Sequence, residues 1–318
     1  TGGAGFIGSS LAFYFQKNYP DSTIVVFDMF RSDETFSNGS LKSFGHYKNL
    51  LGFMGTVISG DINDKIALKD LEKSYQFDYI FHEAAISDTT VQEQDVMMKT
   101  NVNAYEDLLK IAIKHGANMI YASSAATYGD SDRFEVGYEQ PNNAYGFSKV
   151  MMDNITTKYI KQGVDISIVG LKYFNVYGQR EFFKNKTASM VVQFGHQILK
   201  GLTPKLFEQS DKIVRDFIYI EDIIQANIKA CNPKKSGIYN VGTGCARSFE
   251  DIVNILQTQL EIDNGKEYIP NPFIGQYQFF TQANIETTKE NLRYEPKFSM
   301  EEGIKAYIPE IKRLFESE

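Results

Sequence analysis

Apolar positions along the chain fall into short unbroken runs that alternate with stretches of helical spacing. The runs at 23–28, 56–62, 79–85, 119–123 and 166–173 have strand length and no polar alternation, the pattern of parallel strands covered on both faces. Between them, 8–18, 91–115 and 143–162 repeat apolar residues at helical spacing, and Tyr145, Lys149, Met152 and Ile155 share one face of the last. Strand–helix alternation over half the chain predicts an α/β fold with a doubly wound parallel sheet of the Rossmann kind. Past residue 178 the alternation loosens into segments rich in Lys, Gln and aromatics, with helices expected at 221–231 and 248–260. The expected division is therefore a first domain over 1–178 and a smaller, discontinuous α/β portion over 179–318 that returns segments to the first.

The opening, Thr1-Gly-Gly-Ala-Gly-Phe-Ile-Gly8, places glycines at 2, 5 and 8. It reads as the turn that follows a first strand, so a strand is expected ahead of Thr1. Glycine allows positive φ and lets backbone approach a ligand closely. The helix that follows offers free N–H groups and a positive dipole end to a pyrophosphate. Asp28 ends the next strand about 20 residues on, the interval at which a carboxylate meets the adenosine ribose. Gly2, Gly5, Gly8 and Asp28 thus predict a nicotinamide dinucleotide site. Asp28 favours NAD. Arg31, close behind it, suits a 2′-phosphate and with neighbouring lysines tilts the expectation to NADP, with NAD left open.

Asn143-Ala-Tyr145-Gly-Phe-Ser-Lys149 sets a tyrosine and a lysine four apart on one helical face. A phenol near pKa 10 is a poor base at neutral pH. A nearby ammonium and a nicotinamide cation favour the phenolate. Ser124, at a strand end, is placed to hydrogen-bond the substrate hydroxyl whose proton Tyr145 moves. By itself this spacing is common on helix surfaces; the glycine loop upstream makes it a catalytic set.

These features together resemble the extended short-chain dehydrogenases that modify nucleotide sugars, over nearly the whole chain. The stretches Phe81-His-Glu-Ala-Ala-Ile-Ser-Asp-Thr-Thr90, Tyr121-Ala-Ser-Ser-Ala-Ala-Thr-Tyr-Gly129 and Tyr173-Phe-Asn-Val-Tyr-Gly-Gln-Arg-Glu181 carry the resemblance to the wider group. Lys205-Leu-Phe-Glu208, Arg215-Asp-Phe-Ile-Tyr219 and Gln276-Tyr-Gln-Phe-Phe-Thr-Gln-Ala283 are similar to the narrower group of ADP-heptose 6-epimerases. That resemblance implies epimerisation at carbon 6 of ADP-D-glycero-D-manno-heptose by transient oxidation, for lipopolysaccharide inner-core synthesis, and a homo-oligomer, of which a pentamer is one form. It implies Tyr145 as base with Lys149 as its partner, and Lys184 as a second base, with Lys186 near enough to blur the alignment. Implied cofactor contacts are Phe6, Ile7, Asp28, Met29, Asp61, Ile62, Glu83 to Ser87 (Glu83, Ala84, Ala85, Ile86, Ser87), Asn101 and Val176. Implied substrate contacts are Asn175, Lys186, Gln193, Phe207, Glu208, Gln209, Ser210, Arg215 and Tyr277. The long 31–53 stretch departs from the family pattern and leaves Lys42 and Lys48 as candidates for its 2′-phosphate lysine.

Composition narrows the alternatives. The 318 residues carry a formal net charge of −7 with no basic block, which speaks against a nucleic-acid groove. No apolar run approaches the roughly 20 residues of a membrane span. Cys231 and Cys245 are neither a disulfide framework nor spaced for metal, and suit a reducing cytoplasm. His82 reads as a satisfied strand-end histidine. A UDP-sugar 4-epimerase would share the first domain. A sugar dehydratase would place an acid after the strand-end serine, where Ala125 and Ala126 stand. A non-catalytic dinucleotide sensor of the same fold would lack the retained Ser124, Tyr145 and Lys149.

Overall fold

The computed structural model describes residues 1–271 and 279–316. In chain order the first half contains α1 (Phe6–Asn18), β1 (Val25–Asp28), β2 (Thr56–Ser59), α2 (Lys65–Ser74), β3 (Tyr79–His82), α3 (Gln94–Met97), α4 (Ala104–His115), β4 (Asn118–Ser124), α5 (Ala144–Lys161) and β5 (Ile168–Tyr173). The second half adds β6 (Asn175–Tyr177), α6 (Met190–Leu199), β7 (Lys205–Phe207), β8 (Val214–Tyr219), α7 (Ile220–Ala230), β9 (Gly237–Val241), β10 (Ala246–Ser248), α8 (Phe249–Leu260), β11 (Glu267–Ile269), α9 (Glu286–Leu292) and α10 (Met300–Glu316).

All the paired strands of the first half run parallel, as their unbroken apolar runs predict. β3, β4, β5 and β9 form one four-stranded parallel sheet, and β1 pairs with β2 beside it. The opening residues link the two sets: Thr1 donates to the Phe81 carbonyl at 2.8 Å and Gly2 to that of Phe27 at 3.0 Å. Helices cover both faces. Leu109, Ala112, Met119 and Tyr121 are wholly buried on one side, and Ile120, Val169 and Leu171 with Ile223 and Ala226 of α7 on the other.

The continuous helix expected over 91–115 is interrupted. α3 and α4 are joined by a π-helical turn, Met98–Asn103. Such a bulge marks a side chain pulled out of register, and Asn101 is that side chain. It is fully buried, accepts from the Ile86 amide at 2.9 Å, and donates to the Ile86 carbonyl at 3.0 Å and to Ser148 at 2.9 Å.

Past β5 the chain builds a second, mixed sheet from β10, β8 and β6 and a small parallel pair, β11 with β7. Two buried polar centres fix the joints. Lys172 on β5, with no exposed side-chain surface, meets Asp153 at 2.7 Å, Glu139 at 3.1 Å and Thr127 at 2.8 Å. Asp153 also accepts from Tyr121 and Ser123 on β4, so α5, both central strands and the loop after β4 share one cluster. Asp216 on β8 accepts from the Thr243 amide and hydroxyl at 2.8 and 2.7 Å, from Gly244 at 2.8 Å and from Ala283 at 3.1 Å. Among the described residues no helix is long and apolar enough to cross a membrane, and no group of three or more His, Cys, Asp or Glu is arranged to hold a metal.

Candidate active site

A cleft of about 460 Å³ opens along the carboxyl ends of the parallel strands, where ligands of open α/β sheets lie. Its floor at one end is the glycine loop. Gly2 has φ +69°, and a Cβ there would lie 2.5 Å from the Ala84 amide; a Cβ on Gly8 would lie 2.2 Å from the Gly2 carbonyl. No side chain caps α1, whose first residues Phe6 and Ile7 line the cleft with Gly5. A backbone cradle with no room for Cβ atoms, ending in an uncapped helix N-terminus, fits a dinucleotide pyrophosphate.

Asp28 is buried at the end of β1. Its carboxylate accepts from the amides of Ala4 and Phe30, both at 2.9 Å, and faces the cleft beside Met29, Asp61 and Ile62. The strand-end run Glu83, Ala84, Ala85, Ile86 and Ser87 lines the opposite wall, with Val176 and Asn175 beyond it. Asn101 does not reach the cleft; it holds the Ile86 backbone that does.

Arg31 also stays out of the cleft. Phe30 takes a positive φ of 54°, the Arg31 amide is tied to the Gly45 carbonyl at 2.7 Å, and the guanidinium donates to the Phe183 carbonyl. Lys42 stands at the rim instead, paired with Glu34 at 2.8 Å, whereas Lys48 lies over the Phe183 ring. Phe36, Ser40, Leu41, Ser43 and Phe44 also line the cleft, and no motif points to them. They belong to the 31–53 stretch, which has neither strand nor helix periodicity.

Ser124, Tyr145, Lys149 and Lys184 all line this same cleft. Ser124 closes β4, and its hydroxyl accepts from the Ala126 amide at 3.1 Å. Asn143 caps α5 through the Gly146 amide and so starts the helix at the turn that carries Tyr145. Burial pushes the Tyr145 phenol up, against a hydrogen bond with Ser124 that works the other way. Lys149 is 1 % exposed, and its Nζ lies 5.9 Å from the Tyr145 ring centre and donates to the Ala122 carbonyl at 2.6 Å. Burial lowers its pKa to about 8, with Glu83 and Asp153 opposing the shift. Glu83 is raised to about 7, chiefly by burial, against a 3.0 Å hydrogen bond from Tyr173. Lys184 is half-buried beneath Phe6, and desolvation lowers its pKa against the pull of Glu181. His82 is fully buried, accepts or donates to Thr1 at 2.7 Å and is held neutral by burial, away from the cleft.

The remaining candidates do not line this cleft. Lys186 is exposed, and Gln193 on α6 donates to the Ala188 carbonyl at 2.6 Å. Phe207 ends β7, Glu208 to Ser210 form the turn after it with Gln209 at φ +63°, and Arg215 is buried on β8 opposite Arg247. Tyr277 lies outside the described residues.

A family model described as the NAD dependent epimerase/dehydratase family matches residues 1–242, which include the glycine loop, Ser124, Tyr145 and Lys149. The chain belongs to this family. Among solved structures, the ADP-L-glycero-D-manno-heptose-6-epimerase of Helicobacter pylori is 49% identical, with a TM-score of 0.89, over 98% of this chain and 94% of that one. The UDP-glucose 4-epimerase of Thermotoga maritima, solved with UDP-glucose, is 26% identical with a TM-score of 0.85, over 98% and 97% of the two chains. The Thermus thermophilus UDP-glucose 4-epimerase, solved with NAD, shares the fold at 23% identity and a TM-score of 0.80, over 98% and 97%. As an epimerase/dehydratase family member the chain is a nucleotide-sugar enzyme that depends on a nicotinamide dinucleotide.

Proposed function

We propose that the protein interconverts ADP-D-glycero-D-manno-heptose and ADP-L-glycero-D-manno-heptose at carbon 6, the step that supplies heptose for the lipopolysaccharide inner core. The observation that carries this reading is the 49% identity over 98% of the chain to an enzyme of that name. The glycine loop, Asp28 and the 83–87 wall would hold NADP, with Lys42 nearest the 2′-phosphate; NAD is the other dinucleotide this cleft fits. A nicotinamide held there would supply a reversible hydride acceptor for the sugar carbon.

Tyr145 takes the proton of one epimer's hydroxyl as the carbon is oxidised, and Ser124 orients that hydroxyl. Lys149, held by the Ala122 carbonyl, supplies positive charge near the phenol, which favours the phenolate that burial otherwise disfavours. Hydride must reach both faces of one ketone from one side, so the alcohol oxygen points two ways in the two epimers. Lys184 serves the second position, and its lowered pKa makes it a better base. Asn175 lines the same cleft; Lys186, Gln193, 207–210, Arg215 and Tyr277 are assigned to the substrate by resemblance. The same reading implies a homo-oligomer, of which a pentamer is one form, and a cytoplasmic setting suited to the free thiols of Cys231 and Cys245.

The test is product analysis after incubating purified protein with ADP-D-glycero-D-manno-heptose and no added cofactor. Formation of the L-glycero epimer supports the reading. An unchanged heptose together with conversion of UDP-glucose to its C4 epimer would replace it with a 4-epimerase.

A further inference from the structure

We propose that the 31–53 stretch is a positioning element for Lys184, acting through a stack of His46 on Phe183. This rests on the two-base reading above.

The segment that carries Lys184 has few bonds of its own: the Lys184 amide donates to the Glu181 carbonyl at 2.9 Å, and the Thr187 hydroxyl donates to the Lys184 carbonyl at 2.8 Å. Phe182–Thr187 is a short 3-10 stretch with no buried residue, broken by Asn185 at φ 53° and ψ −123°. Glu181 pins its ends, accepting from Gly178 at 3.1 Å and from the Ser189 amide and hydroxyl at 2.6 and 2.7 Å. Its middle is also held from outside, by the 31–53 stretch. The His46 ring lies flat on Phe183, centroids 4.0 Å apart and planes within 5°. Arg31 donates to the Phe183 carbonyl, and Arg180 donates to the Asn49 carbonyl. The Lys48 ammonium lies 5.9 Å from the centre of the same ring.

The other side of the 31–53 stretch is fastened to the dinucleotide loop. The His46 amide and the Asn49 side chain both donate to the Ala4 carbonyl, at 3.0 and 3.1 Å. Gly45 packs on Asp28 so closely that a Cβ there would lie 2.1 Å from Oδ1. A single connected piece therefore runs from the residues facing the adenosine ribose to the residue beside the second base. The imidazole is suited to this as a neutral ring. Its Nδ1 accepts from the Lys48 amide at 3.1 Å, and burial, then Arg31 and Lys48, lower its pKa.

The test uses the cofactor-loaded enzyme with two readouts. The first is the rate at which an amine-directed acylating reagent modifies Lys184, read by mass spectrometry of its peptide. The second is the transient reduction of bound dinucleotide by each epimer separately. His46→Ala should speed acylation of Lys184 several-fold. It should also slow oxidation of the epimer that Lys184 serves by about 10²-fold, the scale of a misplaced group, and leave the other epimer's oxidation unchanged. His46→Phe keeps a ring on Phe183 and should behave as wild type in both. If His46→Ala does not fold, Phe183→Leu tests the same stack. A folded variant without the stack that acylates at the wild-type rate overturns the proposal, and so does equal slowing of both epimers, which would place the effect on the dinucleotide loop. A wild-type enzyme inactive on heptose removes the proposed function, while the acylation rates still decide whether the stack holds Lys184.

Discussion

The Lys149 ammonium donates to the Ala122 carbonyl at 2.6 Å, so it is fixed by the strand that ends in Ser124, not by the phenol four residues earlier on its own helix. Serine, tyrosine and lysine are thereby referenced to one piece of backbone. Tyr145 can lose its hydroxyl without disturbing where Lys149 stands.

Tyr145→Phe is accordingly expected to fold and to bind the dinucleotide as wild type does. Its epimerisation rate should fall by about 10²- to 10⁴-fold, the range for a positioned acid–base group. Steady-state turnover with calorimetric cofactor binding checks both halves, and a variant close to wild-type activity would take Tyr145 out of the mechanism.

Two lysines near the cleft mouth separate cleanly. Lys184 lines the cleft and Lys186 is exposed. Lys184→Met should abolish epimerisation with fold and cofactor binding intact, and Lys186→Met should do much less. The reverse ranking would shift the second base by two positions; normal turnover in both would leave Tyr145 or a water to serve the second oxygen position.

The glycine loop has a sharper geometric test. Gly8→Ala puts a methyl 2.2 Å from the Gly2 carbonyl, backbone against backbone, so the loop must move. Dinucleotide affinity should drop by about 5- to 150-fold, the equivalent of the about 1–3 kcal/mol that overpacking costs elsewhere. Unchanged affinity in calorimetry would mean that the loop does not form the cofactor cradle.

Glu83 supplies a pH signature. Its carboxyl is raised from 4.5 to about 7, so the folded state holds its proton longer than the unfolded chain does. Native stability from this group is present below pH 4.5 and is lost as pH rises to about 7. Glu83→Gln removes that loss. Urea midpoints measured across the window should show the variant gaining on wild type as pH rises, by up to about 3 kcal/mol in stability. A gap that stays constant with pH would show that Glu83 is ionised normally.

The strands, the glycine loop and the Ser124–Tyr145–Lys149 set were legible in the sequence because each depends on local pattern: apolar runs, glycine spacing, four residues on one helical face. What escaped depends on the chain folding back over itself. The 31–53 stretch supplies a wall of the cleft, yet it is held by contacts to Ala4, Asp28 and Phe183 and not by any period. Arg31 looked like a phosphate ligand because it follows Asp28, but the positive φ at Phe30 turns it toward Phe183. The break in the 91–115 helix is likewise set by what Asn101 meets across the fold, the Ile86 backbone and Ser148. Residues 207–210 and Arg215 do not line the cleft, and only resemblance assigns them to substrate.

The knot at Asp216 constrains how this sequence can drift. Four donors converge on its two oxygens from residues 243, 244 and 283. Asparagine has the same outline and is one base substitution away, yet its amide would turn hydrogens toward donors already pointing in, a loss of about 1–3 kcal/mol for each buried group left without a partner. Glutamate keeps the lone pairs but needs a methylene's worth of room beside Gly242, whose own Cβ would already lie 2.7 Å from Oδ2. Both of the mildest exchanges are closed, one by polarity and one by length, so lineages that preserve this joint should keep aspartate there while the surface around it changes freely.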